Sequence, residues 1–338
     1  MKVYIIPSDN IMTTAFYYSL LEKIFKAAGC DVIVDSDISK YHPSKNDDII
    51  VTGNAYPTVK LWLQGYKKVC TWYQGVVPEE RKMQGCSALK VWMHAEVEKL
   101  SLKHSYFCFF VSKAIREHYE EKYNVRIPDS NCAMIPCFNE HSTYEECFVE
   151  GVKKPYSFVY SGGMGVWQCF DRTLEVFKTV KEQIPEATLD IFTYQVDKAK
   201  SVVEANGIKD VDVRYVPKEE MNQALSTKMF GFVLRDDNVV NNVATPTKFS
   251  NYVANGVIPI FSVCVKDFAS AITGAKYVIP LDVYDVQGIA NIIILKARSL
   301  VIEYNSEEHK KENDKLFNSY YSETEYINSV SAKIEELI

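Results

Sequence analysis

No apolar run in this sequence approaches the ~20 residues that cross a bilayer, and nothing in it reads as a secretory signal. A membrane span is therefore not expected. The expected location is the cytoplasm, with peripheral contact at the inner face of the membrane left open. Paired cysteine motifs are lacking too: nine cysteines, from Cys30 to Cys264, are dispersed without a Cys-x-x-Cys. That pattern excludes a disulfide framework, offers no zinc-ligand spacing, and reads as reduced, mostly buried thiols. Nor is there a surplus of positive charge. The 38 Lys and Arg against 44 Asp and Glu leave a net charge of −6, which argues against nucleic acid as the main partner. A local basic patch for anionic lipid stays compatible with that balance. Neither Gly-x-Gly-x-x-Gly nor Gly-Lys-Ser/Thr occurs after a strand-like run, so a dehydrogenase or P-loop reading is poor. Low-complexity tracts and short repeats are also missing.

What is present describes a globular chain of two-domain size, with 338 residues, 47 % apolar and 24 % charged. Continuous apolar runs alternate with helical patterns, the signature of a parallel sheet covered on both faces. In a first domain, residues 1–150, strands are expected at Met1 to Pro7, Cys30 to Asp35, Asp48 to Gly53, Lys68 to Gln74, Tyr106 to Ser112 and Cys132 to Cys137. The polar stretch Asn139 to Pro155, without a period, reads as the connection between domains. The alternation then restarts through residues 151–320. An amphipathic helix, Glu323 to Leu337, dominates residues 321–338 and turns Ile327, Val330, Ile334 and Leu337 inward.

The chemistry concentrates between Met229 and Ser262. An apolar strand, Met229 to Leu234, runs into Arg235 and a polar segment, and a short helix then leads to a second strand at Val257 to Phe261. Thr245 is the expected N-cap, Pro246 the first helical residue, followed by Thr247 and Lys248, with Asn255-Gly256 as the C-cap. A helix N-terminus presents free N–H groups to an anion, and Arg235 and Lys248 would add two cations. Lysine in a first turn opposes the helix dipole, which points to a ligand rather than to stability. The plainer alternative is two solvated surface cations. Ser161-Gly162-Gly163-Met164-Gly165 sits between a strand and a helix, where backbone N–H groups can approach a phosphate or sugar, or where a tight turn is simply needed. Asp236-Asp237 reads as neutralising Arg235 or capping a turn rather than holding a metal. His94, near Glu96 and Glu98, and Tyr194, able to stack on a base, are weaker candidates.

The pattern Gly231-x-x-x-Arg235-Asp-Asp-Asn238-x-x-Asn241, then Pro246-Thr-Lys248-Phe and Tyr252-x-x-x-Gly256, resembles the donor half of retaining glycosyltransferases of family 4, in particular bacterial enzymes of surface-polysaccharide synthesis. Tyr160-x-Gly162 followed by Trp167-Gln168 fits the same resemblance. It implies a GT-B fold: two Rossmann-like domains facing each other across a cleft, the last helix returning to the first domain. It implies a nucleoside-diphosphate sugar as donor, a glycan or lipid-linked glycan as acceptor, and no cofactor or metal. Arg235 and Lys248 would be catalytic. Gly162, Gly163, Asn241, Thr245, Pro246, Thr247 and Asn251 would bind the donor. Asn251 stands where relatives carry a glutamate for the ribose hydroxyls, and Asn242 where they carry an arginine. The segment Thr71 to Glu80 resembles their acceptor-facing loop, placing Gln74, where relatives have histidine, with Gly75 and Glu79 on the acceptor side. Glu79 and Glu80 could serve as acceptor-binding carboxylates, but read somewhat better as a solvated pair after a proline turn. A sugar-nucleotide epimerase, a non-catalytic relative and a plain interaction scaffold are the competing readings.

Overall fold

Six of the apolar runs form one fully parallel sheet: β1 (Lys2–Ile6), β2 (Asp31–Val34), β3 (Ile49–Thr52), β4 (Lys68–Tyr73), β5 (Phe107–Phe110) and β6 (Cys132–Met134), ordered β2-β1-β3-β4-β5-β6. The computed structural model describes residues 1–7 and 11–338, and of 11–14 only the backbone. Every residue of β3 and β5 is buried, as expected of strands covered on both faces. Under β4, Trp72 stacks on Tyr17 with ring centroids 3.6 Å apart, and Thr52, Thr58, Thr71 and Ser105 link their hydroxyls at 2.6–2.8 Å. This sheet belongs to a unit made of Met1–Asn139, Asn242–Thr245 and Ser322–Ile338.

The last helix, Glu323–Leu337, lies in that unit, its Ser322 hydroxyl accepting the Glu325 N–H. Val330 and Ile334 are buried, while Ile327 and Leu337 are half-buried. Tyr106 donates to the Leu337 carbonyl at 2.6 Å and Lys333 to the Cys132 carbonyl at 3.1 Å. These bonds tie the chain end to the edge of the sheet.

A second parallel sheet comprises β7 (Ser157–Ser161), β8 (Thr188–Phe192), β9 (Val211–Arg214), β10 (Phe230–Val233), β11 (Ile258–Ser262) and β12 (Ile279–Leu281), ordered β12-β11-β10-β7-β8-β9. Its unit spans Glu140–Asn241 and Pro246–Tyr321. The helix Phe170–Gln183 buries Phe170, Leu174 and Phe177 in the core around Phe158 and Phe232. One expectation needs correcting here. Residues 140–155 are part of this unit, because the partners of their polar groups lie far away in sequence: Tyr144 N–H reaches the Ala254 carbonyl at 2.9 Å, and Cys147 and Phe148 are buried. Lys153, also buried, donates to the carbonyls of Ser226 (2.8 Å) and Asn255, at the ends of two helices. There a cation meets the negative end of the helix dipole. Burial pushes its amine down to about 7.

Candidate active site

Gly231 in β10 decides how the following helix can lie. A Cβ there would sit 2.5 Å from the Tyr252 ring, so only glycine lets that ring rest on the strand. The Tyr252 hydroxyl then accepts the Ser161 N–H at 3.1 Å, pinning the helix Lys248–Ala254 to the end of β7. At its other end Val257 N–H reaches back to the Tyr252 carbonyl at 2.8 Å while Gly256 takes φ +59°, a Schellman closure. Lys248 lies one turn before Tyr252. Its ammonium rests 4.5 Å from the Tyr160 ring centroid and 3.3 Å from where a Cβ on Gly162 would stand. Gly162 has φ +134°, a conformation that favours glycine, so the loop backbone approaches the lysine closely.

Arg235 leaves β10 with its N–H bonded to Ser262 Oγ at 2.9 Å. Its guanidinium donates to the carbonyls of Leu234 (2.8 Å) and Gln168 (3.3 Å), and to Gln168 Oε1 at 2.8 Å. Lys248 Nζ donates to the same Gln168 Oε1 at 3.1 Å. Two cations thus converge on one neutral amide oxygen, and both are buried. Among the described residues neither forms an ion pair with a carboxylate. Burial pushes the Arg235 guanidinium down, though arginine remains charged. Burial, and then the neighbouring Arg235, hold the Lys248 amine well below the ordinary lysine range. A bound anion would answer the guanidinium and draw the Lys248 amine back toward its charged form.

Three expectations about this corner change. The helix begins at Lys248 and not at Pro246: Pro246 O accepts the Phe249 N–H at 3.1 Å in a four-residue turn, and Thr247 occupies the cap position without a side-chain bond. Thr245 is no N-cap, because its Oγ1 accepts the Cys137 N–H at 3.0 Å within the first unit. The seven-residue helix contributes little dipole, so the positive character of this corner comes from the two side chains. Asp236 does not neutralise Arg235; it pairs with Arg172 and accepts the Cys169 thiol at 3.5 Å.

The remaining donor-side candidates are dispersed around this centre. Gly163 lies against the exposed Tyr194, and Met164 N–H bonds Gln195 Oε1 at 2.8 Å. Asn241 organises the loop, donating Nδ2 to the Asp236 carbonyl at 3.0 Å, while its Oδ1 is buried without a partner among the described residues. The Asn251 Oδ1 is likewise buried and unpartnered, and its amide bonds neither cation. Sequence reasoning noted Gln168 only as part of a motif; its bridging role depends on contacts 67 and 80 residues away.

In the first unit, Gln74 Nε2 donates to the Gly53 carbonyl at 2.9 Å, and Tyr119 donates to the Gly75 carbonyl at 2.7 Å. Glu79 and Glu80 are not a solvated pair. Burial pushes the Glu79 carboxyl up, but His118 at 3.3 Å and Lys122 at 2.7 Å outweigh it and hold it below its usual value. Glu80 lies over Gly75, its carboxyl pushed up by burial. Lys122 also meets the buried Glu98 at 3.1 Å, and Glu98 accepts from Tyr123 at 2.5 Å. These residues therefore hold the Gln74–Gly75 loop in shape. The His94 side chain makes no hydrogen bond among the described residues.

No protein-family model matches the sequence, and none of the curated proteins is similar to it. Solved structures are. The chain resembles a S. aureus TarM variant, in complex with Fondaparinux, alpha-GlcNAc-glycerol and UDP, at 11 % identity and TM-score 0.65, over 94 % of this chain and 58 % of that one. The pneumococcal O-GlcNAc transferase GtfA, in complex with UDP and GlcNAc, is similar at 10 % identity and TM-score 0.65, over 89 % and 58 %. WaaG, a glycosyltransferase involved in lipopolysaccharide biosynthesis, matches at 10 % identity and TM-score 0.65, over 98 % and 99 %. The chain spans about three fifths of the length of TarM and GtfA. These likenesses show the fold, GT-B with two Rossmann-like units.

Proposed function

We propose that the protein transfers a sugar from a nucleoside-diphosphate sugar to a hydroxyl of a glycan or lipid-linked glycan, with retention of configuration, in the synthesis of surface glycans. The observation that carries this reading is the convergence of buried Arg235 and Lys248 on the neutral Gln168 Oε1, with no carboxylate partner for either among the described residues. A diphosphate would supply the missing counter-charge through charge-assisted contacts of roughly 1.5–3 kcal/mol each. The TarM and GtfA complexes contain UDP, which makes a uridine nucleotide the first donor to try.

In the reaction the bond from the anomeric carbon to the diphosphate oxygen breaks and a bond to the acceptor oxygen forms on the same face. The leaving diphosphate gains a negative charge, and the acceptor's proton passes to its departing oxygen. Arg235 and Lys248 stabilise that charge as it develops, the electrostatic term that commonly dominates such catalysis. The same two side chains take the place of a metal in this scheme. Proton transfer to the leaving group asks nothing of Gln74, whose amide is occupied by the Gly53 carbonyl. Asn251 would meet the ribose without charge assistance, which weakens or retunes donor choice.

The test is a thermal-shift screen of nucleotide sugars followed by product analysis with glycan acceptors. A ligand at about 100 times its dissociation constant adds ~2.7 kcal/mol of stability. Nucleotide release with sugar transfer supports the proposal. Interconversion of the donor without an acceptor would mark an epimerase, and binding without turnover a non-catalytic relative.

A further inference from the structure

Asp190 is the one carboxylate in β8, set between the core residues Leu189 and Ile191. It is 8 % exposed and shares a side of the sheet with its register partner Asp212 on β9 and, two residues on, with Arg214. A parallel sheet ordinarily carries apolar side chains there. The carboxylate is answered instead by two cations, Lys228, also 8 % exposed, and Arg214 at 3.2 Å. Arg214 pairs with Asp212 as well and lies 4.7 Å over the Phe192 ring. Well-packed apolar residues would often serve stability as well as buried ions or better, so stability alone does not call for this set.

These groups floor a groove of about 500 Å³ between β8, β9 and the helix Lys218–Ser226. Small-molecule sites run to roughly 300–1,000 Å³. The helix turns Glu220, Gln223 and Ala224 toward the groove, at three- and four-residue spacing, and Tyr215 lines it while 55 % exposed. Among the described residues the side chains of Lys154, Tyr215, Glu220 and Gln223 make no hydrogen bond, so their polar atoms are open to a ligand. Lys154 and Lys228 precede β7 and β10, whose far ends carry Gly162 and Arg235. The groove is therefore a site apart from the two converging cations.

We propose that this groove binds a neutral sugar of a glycan chain. Sugar hydroxyls both donate and accept, and the floor offers both: carboxylate oxygens to receive, a guanidinium and an ammonium to give. The ionic groups hold one another in place before any ligand arrives, which lowers the ordering cost of binding. Tyr215 supplies an apolar ring face for the C–H side of a pyranose, and Glu220 and Gln223 reach hydroxyls at the rim. A phosphate is a poorer occupant. At Arg235 and Lys248 the cations meet only an amide oxygen and carbonyls, whereas here Asp190 and Asp212 already answer them. Binding here needs no donor nucleotide, so the inference stands or falls separately from the proposed transfer reaction.

The experiment is saturation-transfer NMR and calorimetric titration of the full chain with maltohexaose and with chitohexaose, no nucleotide being present. Saturable binding of at least one is expected, with transfer strongest to the C–H protons of a single sugar, and pyrophosphate should not compete. Tyr215→Ala and Gln223→Ala should each weaken binding about fivefold or more, while Tyr215→Phe should keep most of it. Both positions are exposed, and an unchanged melting temperature would establish that the variants fold. Binding of neither oligosaccharide overturns the proposal, as do Tyr215→Ala and Gln223→Ala proteins that bind like the wild type. Displacement of the sugar by uridine monophosphate, itself lost in Tyr215→Ala, would overturn it too and make the groove a nucleotide site.

Discussion

Lys122 and Lys248 each hold an ammonium close to a tyrosine ring, at 4.7 Å and 4.5 Å from the centroid, yet their charges are answered differently. Lys122 meets two carboxylates, Glu79 at 2.7 Å and Glu98 at 3.1 Å, and the cluster is closed within its own unit. Lys248 meets an amide oxygen and stands beside a second buried cation. Lys153 offers a third arrangement, in which helix-end carbonyls receive the ammonium. Two of these three lysines are explained by the architecture around them. The third makes electrostatic sense with an anion from outside the chain.

Breaking each lysine separates the two roles most sharply. Arg235→Ala or Lys248→Ala should lower the rate of sugar transfer by about 100-fold or more, read from product formation at saturating donor. Lys122→Met should instead leave Glu98 buried with only its tyrosine partners and lower the melting temperature, a cost of about 2 kcal/mol. Equal losses of activity in all three variants would erase the distinction between them.

A smaller effect comes from pH. The Lys153 amine sits at about 7 in the folded chain, against 10.5 when unfolded. Between those values the unfolded chain binds more protons, so stability rises with pH from 7 toward 9, by about 2 kcal/mol. Above 9 the trend reverses, since buried thiols such as Cys137, held up to about 11, ionise only on unfolding. Denaturant melts across this range should show the rise, and Lys153→Met should reduce it, leaving the part that the depressed Lys248 amine contributes. A wild-type profile already flat would remove Lys153 as its source.

The subtlest change is Gln168→Glu, which places a carboxylate where both cations already converge. The ligand-free protein should melt higher, and pyrophosphate should bind about tenfold more weakly, because the site then carries its own counter-ion. Unaltered pyrophosphate affinity would show that the anion binds elsewhere.

Much of this fold is legible along the chain. β3, β5, β10 and β11 are short uninterrupted apolar runs, and such runs bounded by glycine or polar residues fix a doubly covered parallel sheet. The helix Ser306–Phe317 is not legible: its sequence is mostly charged, and it buries only His309, Asn313, Leu316 and Phe317. The site divides in the same way. Arg235 and Lys248 stand out because cations next to a sharply marked helix start are unusual. Thr245 misleads, since its capping hydroxyl is spent on Cys137, 108 residues away. Gln168 gives no local sign of the two cations it joins, and the closed cluster around Glu98 is assembled from three helices whose contacts no short window contains.

Calorimetric titration of pyrophosphate into the wild type and Lys248→Met, in buffers of different ionisation enthalpy near pH 8, examines the unanswered charge directly. An anion at this corner raises the depressed Lys248 amine toward its ordinary range, so the wild type should take up more protons on binding than the variant, and bind more tightly. Equal affinity and equal proton uptake in the two proteins, or no binding to either, would contradict the assignment of Arg235 and Lys248 to a diphosphate.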